Sequence, residues 1–155
     1  MKTLFCKSVF FVIICLLANS VFLSAQESQS TAEEIETLLN TGVVTYAQAS
    51  RFVLEAANVL AASDPKEAFD YAMQQKWLPK NVSADGLARL DHISLLLMSS
   101  FNVKGGIMYS ITKNSRYAYR ELVYLNVIQY RADPAMPVSG ERLLFVVGRL
   151  IGESE

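Results

Sequence analysis

Few side chains in this chain have types and spacing suited to chemistry. His92 is the single histidine and follows Asp91. A metal site needs several nitrogen, sulfur or carboxylate ligands at matching spacing, and none accompanies this pair. The expectation is a histidine on a helix surface, with no metal. Both cysteines, Cys6 and Cys15, lie near the start of the chain, and no serine sits in a nucleophile motif. Glu33-Glu34 are adjacent carboxylates, but acids that open a helix complement its dipole and need no further role. Asn81-Val82-Ser83 is a formal glycosylation sequon, read as a coincidence within a connector. Gly105-Gly106 lacks the strand-and-helix context of a phosphate loop and reads as a hinge or turn. Recognition chemistry concentrates in Tyr117, Tyr119, Tyr124 and Tyr130, with Arg116, Arg120 and Arg131 nearby. Such a run can form a surface that stacks on sugar rings or docks a partner. Alternatively, Tyr117 and Tyr124 pack at the core margin and the arginines are solvated. These patterns leave no catalytic residue and no cofactor to expect, and the chain reads as no enzyme.

The elements that must position these groups are helices. Thr31-Ala-Glu-Glu34 has the form of a capping box, and Ile35, Leu38, Leu39 and Gly42 follow at helical spacing. Thr45-Tyr46-Ala47-Gln48 offers a second box, opening a helix with Phe52, Val53, Ala56 and Leu60 on one side. Asp64-Pro65 stops that helix and starts another, with Glu67 in its first turn. Its buried face comprises Ala68, Phe69, Ala72, Met73 and Trp77. After the turn-rich Pro79–Gly86, Leu87–Phe101 reads as a helix with Leu90, Ile93, Leu96, Leu97 and Phe101 on one stripe. Between the breakers Gly105-Gly106 and Asn114-Ser115, Ile107–Thr112 fits a short helix or an extended piece. A last helical pair follows from Tyr117 and ends near Gly152.

The first 25 residues have the form of a secretory signal. Lys2 and Lys7 precede the apolar run Val9–Ala18, and Ala25 stands at a cleavage point. That run is short for a membrane span, which needs about 20 residues. Residues 26–155 then form the expected single domain, exported. The alternative is anchorage by an uncleaved N-terminal segment, the only membrane contact expected. Removing Lys2 and Lys7 from 14 basic residues leaves 12 against 15 acidic ones, and no basic run exists, so no nucleic-acid partner is expected. With both cysteines in the signal, the domain must stand on its hydrophobic core rather than on disulfides.

Sliding the chain by 50 residues matches Ala68–Phe101 to Ala118–Ile151 without a gap. Phe69 falls on Tyr119, Ala72 on Leu122, Ile93 on Leu143, and Leu97 on Val147. A repeat of this period implies helical units that share one core, because one unit cannot bury its own apolar stripe. A shortened earlier copy fits Ile35–Leu60, with Val43-Val44 in place of Trp77-Leu78. The expected fold is all-α: two or three repeated helical pairs in one domain, with units at about residues 31–62, 64–101 and 115–152.

A helix ending in a bulky apolar pair, a polar connector and a helix opened by a T-R-A-E-like tetrad resembles the S-layer homology repeat. The tetrad positions hold Thr45-Tyr46-Ala47-Gln48, Ala88-Arg89-Leu90-Asp91 and Val138-Ser139-Gly140-Glu141. Of these, Arg89 keeps the family arginine, and Asp91 and Glu141 keep the acid. Residues Gly105–Leu150 also resemble the amino-terminal periplasmic region of spirochaetal OmpA-type envelope proteins. These resemblances imply a non-enzymatic envelope module, in the periplasm or associated with the outer membrane, that binds a cell-wall polymer or a partner envelope protein. Arg89, Asp91 and Glu141 are the binding residues implied, with Tyr117 and Arg120 added from the aromatic run. The alternative function is a periplasmic helical protein that holds a small ligand among its apolar helices.

Overall fold

The computed structural model describes residues 32–62, 64–129 and 132–152. The signal reading, Thr31, Tyr130 and Arg131 fall outside them. The described residues are all-helical, with no strand: α1 (32–39), α2 (Tyr46–Ala56), α3 (Pro65–Gln74), α4 (Leu90–Ser100), α5 (Ile107–Thr112), α6 (Ser115–Tyr124) and α7 (Gly140–Gly152). The chain divides into two compact units, one through Thr37 and one from Leu38. Described residues of the first are helical, and Thr37 donates its hydroxyl to the Glu33 carbonyl one turn back.

Within the second unit, local sequence explains most helix starts. Thr45 and Gln48 form the expected reciprocal box: the threonine hydroxyl accepts from the Gln48 amide, and the Thr45 amide donates to the glutamine side chain. Asp64 caps α3 by accepting from the Lys66 amide, with Pro65 in the first turn. Asn114 caps α6 in the same way, and Ser139 accepts from Arg142 at the start of α7. Helices α2 to α6 are each followed by a non-glycine residue at positive φ: Asn58, Lys76, Asn102, Lys113 and Asn126.

Three extended segments meet in a closed ring of backbone hydrogen bonds. The Val44 amide donates to the Val138 carbonyl, Val138 to Ala88, and Ala88 back to Val44, each at 2.9 Å. All three residues are buried. Around this ring the first amides of the helices find partners on a neighbouring segment. Tyr46 and Ala47 donate to Gly86 and Ala84, Leu90 and Asp91 to Met136 and Pro134, and Gly140 to Thr41. Helix N-termini carry amides with no intrahelical acceptor, so this pairing is what allows α2, α4 and α7 to begin inside the protein.

The ring also moves two sequence expectations. Leu87, Ala88 and Arg89 are extended rather than helical, because Leu87 bridges to Thr45 and Arg89 to Pro137; α4 starts at Leu90. The ring aligns Thr45 with Arg89 and Ser139, one residue away from the tetrad register that aligned Thr45 with Ala88. Gly42 likewise lies beyond α1, and Leu39 is exposed.

Burial is continuous across α2 to α7. Val53, Phe69, Ile93, Leu97, Leu122, Val146 and Val147 belong to one cluster, with Trp77 packed against it. Helix α3 lies on α2, and α6 on α4, so the principal helix contacts run between the expected helical pairs rather than within them. Helix α4 differs from the single-stripe expectation, since ten of its 11 residues are buried, polar ones included. Its outer side is closed by α5, whose Tyr109 is 1% exposed. A Cβ on Gly105 would clash with that ring, which fixes glycine there.

Gly140 is equally constrained: a Cβ there would overlap the Leu38 carbonyl, and backbone cannot yield as a flexible side chain does. Gly140→Ala is expected to lower unfolding free energy by about 3 kcal/mol. Gly148, with open space around it on the same helix, should gain up to about 1 kcal/mol when changed to alanine. Urea titration of both variants checks the contrast.

Candidate functional site

The polar group best built by the fold lies where α2 and α4 begin. Arg89 precedes α4 and makes no side-chain cap. Its guanidinium instead forms a two-point fork on Asp91, with Nε to Oδ1 at 3.2 Å and a terminal nitrogen to Oδ2 at 3.1 Å. Asp91 Oδ1 also accepts from the His92 backbone amide at 3.0 Å. The carboxylate is therefore saturated on one side by backbone and on the other by a planar cation, a geometry that favours arginine over lysine.

His92 is buried, which corrects the surface reading. Helical spacing showed a polar residue next to an acid, but α4 is covered on nearly all sides. The ring stacks on Tyr46 with centroids 5.8 Å apart, and the Tyr46 hydroxyl lies 2.6 Å from Nδ1. Burial, opposed by the Arg89 backbone and charge, raises the Tyr46 pKa. The tyrosine thus keeps its proton and shares a hydrogen bond with Nδ1, while Nε2 lies 3.7 Å from Asp91 Oδ1. Burial lowers the His92 pKa, with Asp91 opposing and Arg89 adding to the shift, so the ring is neutral.

Tyr46, Asp91 and His92 are all buried, whereas the Arg89 side chain is 44% exposed. A relay of tyrosine, histidine and aspartate would need a reactant at its end; here the group the network offers to solvent is a guanidinium. The arrangement mounts a cation. Among the described residues no cluster of three or more potential metal ligands occurs.

The other residues singled out in the sequence do not join this group. Glu141 is exposed in the first turn of α7, at the corner of the ring that reaches Thr41 rather than Pro134. Tyr117 and Arg120 lie on α6. Arg120 and Tyr124 border two open hollows, one of about 520 Å³ with Arg116, Tyr119 and Val123, the other of about 370 Å³ with Ile107, Met108 and Tyr117. Tyr119 leaves the proposed aromatic surface: it is buried, donating to the Ala132 carbonyl at 2.6 Å. Tyr124 is 82% exposed, not at the core margin, while Tyr117 is half-buried against the core.

Sequence reasoning did not connect Tyr46 to the site. Its place inside a capping box accounts for the local helix start but carries no sign of a histidine 46 residues away.

The lowered His92 pKa gives a signed expectation. Above the unfolded value near 6.5 both states hold a neutral ring; below it the unfolded chain takes up a proton that the native site resists. Stability should therefore fall as pH drops through about 6.5 towards the lower folded value. His92→Gln, which retains an acceptor for Tyr46, should flatten that part of the profile in urea titrations; identical slopes would contradict the assignment.

Comparison of the chain with known protein families, with curated proteins and with solved structures found no match.

Proposed function

We propose that this chain is a non-enzymatic, exported envelope module that binds a carboxylate-bearing wall polymer, or a partner envelope protein, through Arg89. The observation that carries the reading is the two-point fork: a half-exposed guanidinium held in place by a buried carboxylate. A cation already immobilised loses less side-chain freedom when it meets an anionic ligand, and its remaining donors match planar carboxylates. In this reading Asp91 positions Arg89, and His92 and Tyr46 brace Asp91 from below. Glu141 is a separate contact on the exposed opening of α7, and Tyr117 and Arg120 supply stacking area on α6. Export rests on the N-terminal signal pattern, and the envelope setting on the resemblance to S-layer homology repeats.

The test uses retention on isolated peptidoglycan sacculi. Arg89→Gln is expected to weaken retention roughly tenfold, the scale of one lost charge-assisted contact, with helicity by circular dichroism unchanged. Asp91→Asn should weaken it less, since the guanidinium stays but loses its brace. Retention unchanged in Arg89→Gln and in Glu141→Gln would reject the site, and loss confined to Tyr117→Ala and Arg120→Gln would move it to α6.

A further inference from the structure

A second surface has a composition that the Arg89 site does not explain. Ile107 and Ile111, one turn apart on α5, are 78% and 75% exposed, with Met108 at 50% beside them and Tyr124 of α6 at 82%. Single exposed apolar residues need no explanation, but four large ones on two adjoining helices do. Tyr109, on the other side of α5, is buried and lies 3.4 Å from the Ser99 hydroxyl of α4, so the apolar side chains face away from that anchor.

Arg120 of α6 borders the same hollow as Ile107, Met108 and Tyr124, and Arg116, one turn earlier, is exposed beside Arg120 and Tyr124. Lys104 and Lys113 are exposed as well, with the Lys113 ammonium 4.4 Å over the Tyr109 ring on the other side of α5. Residues 101–124 contain four of the chain's 14 basic residues but one of its 15 acidic residues. That acid, Glu121, is half-buried, with its carboxylate against Gly106. In a chain with formal net charge −1, this stretch is thus locally basic, and it carries Ile107 and Ile111, the most exposed aliphatic side chains among the described residues.

We propose that α5 and the adjoining face of α6 form an interfacial docking surface for an anionic phospholipid bilayer. The layering fits a membrane better than a protein. Aliphatic tips occupy the centre, where they would enter the acyl boundary. The amphipathic Tyr124 and the long side chains of Arg116 and Arg120 stand beside them on α6, where they would reach headgroups and phosphates. Protein interfaces reverse this order, concentrating tyrosine and arginine at the desolvated centre. Insertion of a few aliphatic side chains is weak alone, and the basic side chains beside them supply the second attraction that stable association requires. This contact is separate from any made by the N-terminal segment, and it does not depend on the Arg89 reading.

The experiment places an indole at the centre of the patch. Full-length chain carrying Trp77→Phe and Ile111→Trp is mixed with vesicles of brominated phosphatidylcholine, with or without one-third phosphatidylglycerol. The introduced indole is expected to shift blue and be quenched on the anionic vesicles and much less on the neutral ones. Arg116→Gln and Arg120→Gln should each reduce the quenched fraction's apparent affinity about fivefold. Because the readout is local, attachment through residues 9–18 cannot imitate it. An indole that stays unquenched on anionic vesicles, or that is quenched equally on both, overturns the proposal; the former would leave the patch to a protein partner. Hydrogen exchange on the unmodified chain gives an independent check, with slowed exchange across residues 107–112 expected on anionic vesicles alone. Unchanged exchange there overturns the proposal equally.

Discussion

Three backbone amides, on Val44, Ala88 and Val138, each donate to the next in a closed cycle, and the rest of the second unit hangs on that cycle. Buried amides and carbonyls must be paired, and here each of three segments satisfies one neighbour and is satisfied by the other. Once the cycle closes, the amides that follow it along each segment are already aimed at a neighbouring connector, which supplies carbonyls to the helix starts. Helices α2, α4 and α7 can then turn their apolar residues into a shared core. Because the bonds are made by backbone, the cycle constrains side-chain size more than side-chain identity. Thr45, Arg89 and Ser139, which immediately follow its three members, comprise two hydroxyl residues and one cation.

That freedom is what the Arg89 group exploits. At the α2 opening the position is held by a capping threonine, and at the α7 opening by a capping serine. At the α4 opening the amides of Leu90 and Asp91 meet the carbonyls of Met136 and Pro134, and Arg89 makes no side-chain cap but carries a cation. Asp91, the third residue past Ala88, then holds that cation, while His92 and Tyr46 fill the space between two helix starts. The site is thus a product of one corner of the cycle, not a loop added to a finished fold.

Much of this was legible in the sequence, because the signals were local. The Thr45–Gln48 box, the Asp64-Pro65 start and the helical character of each apolar stripe depend on neighbours within one or two turns. Some residues 50 apart share their burial, as with Ala72 and Leu122 or Leu97 and Val147, and others do not: Leu95 is 5% exposed and Phe145 51%. What could not be read was decided at long range. Leu87 looks like the start of a helix, but its bridge to Thr45 holds it extended. His92 looks solvent-facing beside an acid, until α2 brings Tyr46 over it. Tyr119 and Tyr124 are indistinguishable by type, yet one turns towards the Ala132 carbonyl and the other away from the core. Periodicity assigns a residue to a face of its helix; only packing decides whether another element covers that face.

The five residues at positive φ carry a consequence for heat tolerance. The left-handed region costs L-residues roughly 1–2 kcal/mol, less for asparagine, and glycine is the usual choice after a helix. This chain has seven glycines and none at positive φ, and it closes two of its helix ends with lysine. Lys76 and Lys113 therefore hold conformational strain that contributes nothing to the core. The protein has a thermostability reserve at its helix ends that could be drawn on without altering the ring, the core or the Arg89 group.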